Sequence, residues 1–341
     1  MNWKRVFLVA AAIVVALGLT TLWLLLGPAT RFKESAAYVY VRTTDDPQTA
    51  VMQQLQQQQL IRGTALFEWM AGRLHVWERL PAGKYKIEKG TSLLQLLRTL
   101  RNRRQEPVDL VIVKLRTRQQ FAALVGRRFA CDSACFMRYL SDNDSLAHWN
   151  ADTATLMALV RPNTYTYYWA ATPRQILKKI ADENERFWTE ERKQAAQKIG
   201  LTPLQVVTLA SIIEEETNRH DEKPLIASVY LNRLRAGMPL GADPTVKFAT
   251  GDFGLRRILL KHINETAQSP YNTYRRRGLP PGPICTPGVE SIDAVLHAPA
   301  TNYLYFCARP DGSGYHAFAA TYNEHLVNAR AYQQWLNSLQ Q

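Results

Sequence analysis

Thr202-Pro-Leu-Gln-Val-Val-Thr-Leu-Ala-Ser-Ile-Ile-Glu-Glu-Glu-Thr217 is an apolar run that ends in three consecutive acids. Thr202 suits an N-cap, because its hydroxyl can accept from a free first-turn N–H, and Pro203 suits the first helical position, where no N–H is needed. The stretch therefore reads as one helix through Glu216. At roughly 100° per residue, Gln205, Leu209, Ile212, Ile213 and Glu216 share one face, so Glu216 continues a buried stripe. Glu214 and Glu215 point away from it, toward the sides carrying Val207, Ala210 and Thr208. A carboxylate on an apolar face either pairs with a partner or keeps a raised pKa and serves as a proton donor. The helix alone leaves both readings open.

Outward from this helix, a second one runs past Ile226 and ends at Gly237. Gly278 to Gly288 holds four Pro and three Gly, a rigid loop suited to lining a cleft, and a short helix follows from Ser291 to His297. Toward the N-terminus, residues 119–198 read as mainly helical, interrupted at Arg161 to Trp169. Ala36 to Arg42 alternates like a strand. Pro47 to Leu60 is Gln-rich, but the spacing of Val51, Leu55 and Leu60 argues for an amphipathic helix. Pro81 to Ser92 gives a strand and a turn at Gly90, and Ser92 or Thr91 caps a helix carrying Leu93, Leu94, Leu96, Leu97 and Leu100. Asp109 to Val113 is a further strand. No internal repeat is present.

Between Arg5 and Arg31 there is no charge, and Val6 to Leu26 supplies the roughly 20 apolar positions that a bilayer core requires. That run is longer than the apolar region of a signal peptide, about 7–15 residues, so it reads as a membrane span. Lys4 and Arg5 before it, against Arg31 and Lys33 after it, favour a cytoplasmic N-terminus only weakly. The chain of 341 residues carries 42 Lys+Arg against 29 Asp+Glu, a formal +13 that favours polyanions. Its basic residues are scattered, however, and no zinc-finger spacing, helix-turn-helix cue or RNA-binding aromatic motif accompanies them, so nucleic acid is set aside. Four cysteines are too few for a disulfide framework. Cys131 and Cys135, four apart with no neighbouring His, give no zinc site, and a bridge or two ordinary thiols both remain open. His297 and His316 lack a metal-ligand set.

The ordered motifs Ile226-Ala-Ser-Val-Tyr-Leu-Asn-Arg233, Ala242-Asp-Pro-Thr245, Ser269-Pro-Tyr-Asn-Thr-Tyr274, Gly278-Leu-Pro-Pro-Gly-Pro-Ile284, Tyr303-Leu-Tyr-Phe306 and Gly314-Tyr-His-Ala-Phe318 resemble the YceG-like family of MltG-type endolytic murein transglycosylases. The resemblance runs from about Leu201 to Trp335. Upstream, the β-α-α-β order with Ala82-Gly-Lys-Tyr85 and Lys89-Gly-Thr-Ser92 is similar to that family's LysM-like module, either a glycan binder or a spacer. The implied architecture is α+β: a cytoplasmic tip and transmembrane helix over 1–29, a LysM-like module over 30–115, a mainly helical connection over 116–198 and a mixed α/β catalytic domain over 199–341. The implied place is the inner membrane, single-pass, with the catalytic domain in the periplasm. Three departures stand out. Val113-Lys-Leu-Arg-Thr-Arg118 replaces a Glu-Gly turn, Asn163 replaces an acid, and Gly241 stands where the family often has Gln.

What the resemblance implies chemically is non-hydrolytic cleavage of the bond from N-acetylmuramic acid to N-acetylglucosamine, leaving a 1,6-anhydro end. One acid can protonate the leaving oxygen and then take the proton of the sugar's own C6 hydroxyl, without metal or cofactor. Glu216 is the catalytic candidate, since Glu216-Thr217 resembles the Glu-Ser pair of lytic transglycosylases, and Glu214 is the reserve. Asp243 is a substrate or electrostatic contact, although Asp before Pro also forms turns. Thr245, Tyr271, Asn272 and Tyr274 complete the substrate-binding set: amides read hydroxyl and acetamido groups, and rings stack on sugars. The partners implied are peptidoglycan strands, the membrane and neighbouring cell-wall synthases. A hydrolytic muramidase and a non-catalytic anchored glycan scaffold are the competing readings.

Overall fold

The computed structural model describes residues 3–339, without the side chains of Lys4 and Arg5. The chain divides into two compact units. One takes the chain up to Asp109 together with Arg128–Cys131 and Thr166–Thr172; the other takes Leu110–Arg127, Asp132–Tyr165 and everything from Pro173 onward. The segment 116–198 thus belongs largely to the same unit as the residues after it.

In chain order the elements begin with α1 (Trp3–Leu26), β1 (Ala36–Val41), α2 (Pro47–Gln57), α3 (Thr64–Arg73), β2 (Gly83–Glu88), α4 (Leu93–Arg101) and β3 (Pro107–Ile112). Then come α5 (Arg118–Gly126), α6 (Ser133–Leu140), α7 (Asn143–Ala147), β4 (Asn163–Tyr168), α8 (Pro173–Phe187) and α9 (Glu190–Lys198). The C-terminal part is α10 (Pro203–Glu216), α11 (Lys223–Arg235), α12 (Asp243–Thr250), α13 (Leu260–Glu265), α14 (Val289–Leu296), β5 (Tyr305–Ala308), β6 (His316–Ala319) and α15 (Tyr322–Ser338). The fold is mixed α and β, and its strands occur only as two-stranded pairs among the described residues.

Helix α1 contains an apolar stretch, Val6–Leu26, of 21 residues with mean hydropathy 2.5 and no part buried in the protein. At 1.5 Å per residue it is about 32 Å long, enough for a bilayer core of about 30 Å. Behind it, β1 pairs antiparallel with β2 from Ala36 opposite Glu88 to Val41 opposite Gly83. The pair turns Val39, Val41, Tyr85 and Ile87 into a core shared with Val51 and Leu55 of α2, Phe67 of α3 and four leucines of α4. Ser92 caps α4 and forms a capping box with Gln95. Helix α3 is absent from the sequence reading above. Its start follows Gly63 in the left-handed region at φ 69°, and Phe67 and Ala71, four apart, carry its buried face. The expected helix from Pro47 also stops earlier, at Gln57, and Leu60 enters the core from the turn.

The second unit is built around α10. Thr202 caps it, with Gln205 completing a capping box and Pro203 in the first turn. The amphipathic stripe is corrected here: Val206 through Ile213 are all buried, Val207, Thr208 and Ala210 among them, while Gln205 is exposed at the cap. A helix apolar on every side sits inside a core rather than on its surface, and α9, α11, α12 and α14 contribute to the shell around it. Its two internal hydroxyls are satisfied. Thr208 donates to the Leu204 carbonyl at 2.8 Å, and Ser211 donates to the Thr208 carbonyl at 2.7 Å. Ser211 Oγ also accepts from the Ile284 amide at 3.0 Å, which pins the Pro/Gly loop to the helix. The same loop holds residue 115 from both sides: the Thr286 amide donates to the Leu115 carbonyl at 2.8 Å, and Thr286 Oγ1 accepts from the Leu115 amide at 2.9 Å. Gly282 is required by close approach, since a Cβ there would meet the Ala154 carbonyl oxygen at 2.1 Å. The helix after the loop starts at Val289, two residues earlier than expected.

Candidate active site

Helix α10 leaves the core at its last three residues, and each glutamate meets different surroundings. Glu214 Oε2 accepts from Lys223 Nζ at 3.0 Å and from the Ser291 hydroxyl. Burial opposes its charge, yet these donors outweigh burial and hold the carboxyl below its ordinary range. Glu215 sits between Lys114 and Arg116, each 2.9 Å from one carboxylate oxygen. Burial opposes ionisation there too, and the two cations again prevail. The departure of the 113–118 segment from the family turn thus has a physical role in this chain, because it supplies both partners of Glu215.

Glu216 forms no ion pair among the described residues. Its Oε1 accepts from the Tyr230 hydroxyl at 2.5 Å, and Oε2 has no protein hydrogen-bond partner among the described residues. Burial pushes its carboxyl up to about 7 and Asp243 adds to the rise, while the Tyr230 hydroxyl and Arg233 pull the other way. A carboxylic acid in that range is part protonated near neutrality and can both give and recover a proton. Glu214, the reserve candidate, is by contrast an ionised and engaged group.

Two cavities open beside Glu216. The larger, about 240 Å³, is bounded by Tyr230, Arg233, Tyr274, Phe306 and His316 as well as Glu216 and Asp243. The smaller, about 140 Å³, also reaches Glu216 and Asp243 and extends to Lys247, Arg256 and Arg257. Glu216 and Asp243 therefore stand where the two arms of one cleft meet. The sequence brings Asp243 there by starting α12 with it, and the Tyr274 hydroxyl donates to its Oδ1 at 2.6 Å. Burial, with Asp243 next, raises the Tyr274 hydroxyl above its ordinary value, so it is a donor throughout the ordinary pH range. Gly241, in the left-handed region at φ 62°, forms part of the wall; a Cβ there would lie 3.7 Å from the Tyr274 ring.

The walls are tied together by buried polar contacts. Arg233 donates to the Leu304 carbonyl through Nε and to the Leu240 carbonyl through Nη1, both at 2.6 Å. Glu222 is buried and receives the His316 backbone amide at 2.7 Å and ring Nδ1 at 2.9 Å, which fixes the start of β6 against α11.

The structure brings Glu216, Asp243 and Tyr274 together and puts the other three expected contacts elsewhere. Asn272 is fully buried. Its amide nitrogen donates to the Ile263 carbonyl at 2.8 Å and to Thr266 Oγ1 at 2.9 Å, and its oxygen accepts from the Tyr274 and Arg275 amides. Every bond an amide of this kind can make is thus used to shape the loop that presents Tyr274. Thr245 is likewise buried, donating to the Ala242 carbonyl at 2.6 Å and lying 2.8 Å from Thr273 Oγ1. Tyr271 packs on Phe248 with ring centroids 4.7 Å apart, at the edge of the core and off both cavities. None of the three lines either cavity, which corrects the sequence reading: Asn272 and Thr245 are buried behind the wall, and Tyr271 packs at the core edge. The sequence reading also missed Tyr230, Arg233, Lys247, Arg256 and Arg257. Tyr230 carried a signal, since a tyrosine on a buried helix face needs a partner for its hydroxyl. Among the described residues no group of three or more His, Cys, Asp and Glu side chains is arranged to hold a metal ion.

The model of the YceG-like family matches residues 39–331, and the chain belongs to that family. An endolytic murein transglycosylase of Bacillus subtilis is 38% identical over 164 residues, 48% of this chain and 44% of that protein. One from Streptococcus pneumoniae is 27% identical over 270 residues, 70% of this chain and 48% of that protein. The chain thus spans about half the length of the curated relatives it matches. A crystal structure of a YceG-like protein from Listeria monocytogenes superposes with a TM-score of 0.56 at 25% identity, covering 86% of this chain and 98% of that one.

Proposed function

We propose that this chain is an endolytic lytic transglycosylase that cuts peptidoglycan strands next to the membrane. The observation that carries the reading is Glu216, an acid of pKa about 7 with a free carboxyl oxygen at the junction of two cleft arms. The names of its relatives support the same class. A strand lying through both arms passes its glycosidic oxygen over Glu216. The acid gives its proton to that oxygen as the bond from muramic acid C1 breaks, and Asp243 offsets the positive charge developing on the sugar ring. Glu216, now ionised, takes the proton of the C6 hydroxyl as O6 closes on C1, which restores the acid and leaves a 1,6-anhydro ring. Tyr230 donates to the carboxylate between the two proton transfers, and Tyr274 keeps Asp243 facing the cleft.

Helix α1 has the length and composition of a single-pass anchor. In this reading it holds the second unit on the periplasmic face, and the first unit serves as a LysM-like module that positions strands. The presence of Asp243 as a second carboxylate in the cleft supports one rival, a muramidase that activates water. Mass analysis of the fragments released from purified sacculi in ¹⁸O-water separates them. The lytic reaction gives fragments one water lighter than hydrolysis and free of ¹⁸O, whereas a reducing end carrying ¹⁸O establishes the muramidase. Absence of any release by the purified full chain leaves only the glycan-binding scaffold.

A further inference from the structure

The two arms of the cleft differ in chemistry. The larger is walled by Tyr230, Tyr274, Phe306 and His316, with one cation, Arg233, that is already bound to the Leu304 and Leu240 carbonyls. The smaller carries Lys247 from the last turn of α12 and Arg256 and Arg257 from the loop before α13. None of these three cations has a carboxylate partner among the described residues. Lysine in a last turn is ordinary, because it complements the negative end of the helix dipole; that accounts for Lys247 and not for two arginines on a loop. The acids facing the same arm do not cancel the charge. Glu215 is already held by two cations, Lys114 and Arg116, and Asp243 contributes one negative charge. Arg116 also lies over the Phe253 ring, 5.2 Å from its centroid, and so packs the loop that leads to Arg256. The arm is therefore net positive beside the residue assigned to proton transfer.

We propose that Lys247, Arg256 and Arg257 form an anion subsite beside Glu216 that recognises a carboxylate or phosphate group carried by the strand being cut. The inference rests on the lytic transglycosylase reading and adds to it a charge requirement on the substrate. The glycan backbone, with its lactyl groups in amide linkage, offers no anion of its own. Two sources remain: the carboxylates of the stem peptides, and the pyrophosphate of a strand still joined to its lipid carrier. Guanidinium groups bind both through paired N–H donors, and the low-dielectric wall of a cleft strengthens the attraction.

The test measures binding by the full chain in detergent, in a Glu216→Gln background so that strands stay uncut. Three probes are used: strands bearing stem peptides, strands stripped of them by an amidase and then capped as methyl amides at the lactyl carboxylates this exposes, and strands ending in lipid pyrophosphate. Replacing the three cations together (Lys247→Gln, Arg256→Gln, Arg257→Gln) is expected to weaken binding of a charged probe by about ten-fold and of stripped strands by less than about two-fold. The charge-keeping set (Lys247→Arg, Arg256→Lys, Arg257→Lys) should restore most of the loss, which a folding defect would not permit. Loss confined to peptide-bearing strands identifies the carboxylate, loss confined to lipid-linked strands identifies the phosphate, and loss on both supports a general anion subsite. Equal loss on stripped strands, no loss on any probe, or no binding by the intact arm overturns the proposal. Because the readout is binding by an uncut complex, a wild-type chain that fails to cleave would sink the lytic reading without altering this result.

Discussion

Helices α4 and α10 end in opposite ways. The last turn of α4 carries Arg98 and Arg101, the charge that a helix C-terminus favours. The last turn of α10 carries Glu214, Glu215 and Glu216 and no basic residue. Three acids at the negative end of a dipole, at the edge of a core, are all disfavoured when ionised. Two are rescued by cations from elsewhere, Lys223 for Glu214 and the Lys114–Arg116 pair for Glu215. The third is left with a hydroxyl, and its carboxyl is pushed up to about 7. The contrast teaches that an unfavourable helix end can be selective: the fold neutralises the cost at two positions and retains it at the one facing the cleft.

The largest effect expected from this contrast is on chemistry. Glu216→Gln keeps the shape and loses the transferable proton, so turnover on sacculi should fall by about 10²- to 10⁴-fold, whereas Glu214→Gln and Glu215→Gln should be milder. Near-normal turnover in Glu216→Gln would move the acid elsewhere. Next in size is stability. Lys223→Met leaves the half-buried Glu214 carboxylate without its cation and should cost about 3 kcal/mol in urea unfolding of the detergent-solubilised chain, with part recovered by adding Glu214→Gln. Equal stability of the single and double variants would show that the pair is not coupled.

A pH effect of similar origin applies to Glu216. Its carboxyl titrates at about 7 in the folded chain against an ordinary 4.5. A raised acid contributes no penalty below its unfolded pKa, a growing one as pH rises between the two values, and the full penalty above the folded value. Glu216→Gln should therefore match wild type near pH 4 and exceed it by on the order of 3 kcal/mol above pH 7. The neighbours should shift the alkaline limb of turnover in opposite directions. Asp243→Asn removes a repelling charge and moves the limb to lower pH; Tyr230→Phe removes a bond that favours the ionised form and moves it to higher pH. Movement in one direction for both would break the account of the site. The smallest effect is at α4, where Arg98→Ala should change stability by no more than about 0.5 kcal/mol, as expected for an exposed helix-end charge.

How far each feature was legible follows from the range of the contacts that create it. The caps at Ser92 and Thr202 are local, and both helices begin where the residues imply. The position of Glu216 at the end of an apolar run was legible as well, although the reason differed, because α10 is enclosed on every side and has no stripe. The partners of its acidic neighbours were not legible: Arg116 lies 99 residues from Glu215, and nothing in either segment announces the other. The placement of Asn272 was not legible for a different cause. An amide has the same donors and acceptors whether it reads a sugar or holds a loop, and only its complete burial shows which. Helix α3 was missed because its short apolar face, Phe67 and Ala71, lies between a left-handed glycine and a basic end and offers no side-chain cap.

The ionisation of Glu216 itself tests the central claim most directly. With the glutamate carboxyls labelled with ¹³C, the signal absent from Glu216→Gln identifies this residue in the full chain in detergent, and its chemical shift can be followed across pH. The account requires a midpoint near 7, well above an ordinary glutamate. A midpoint below about 5 would make Glu216 one more ionised acid, like its two neighbours, and would contradict its role as the proton donor.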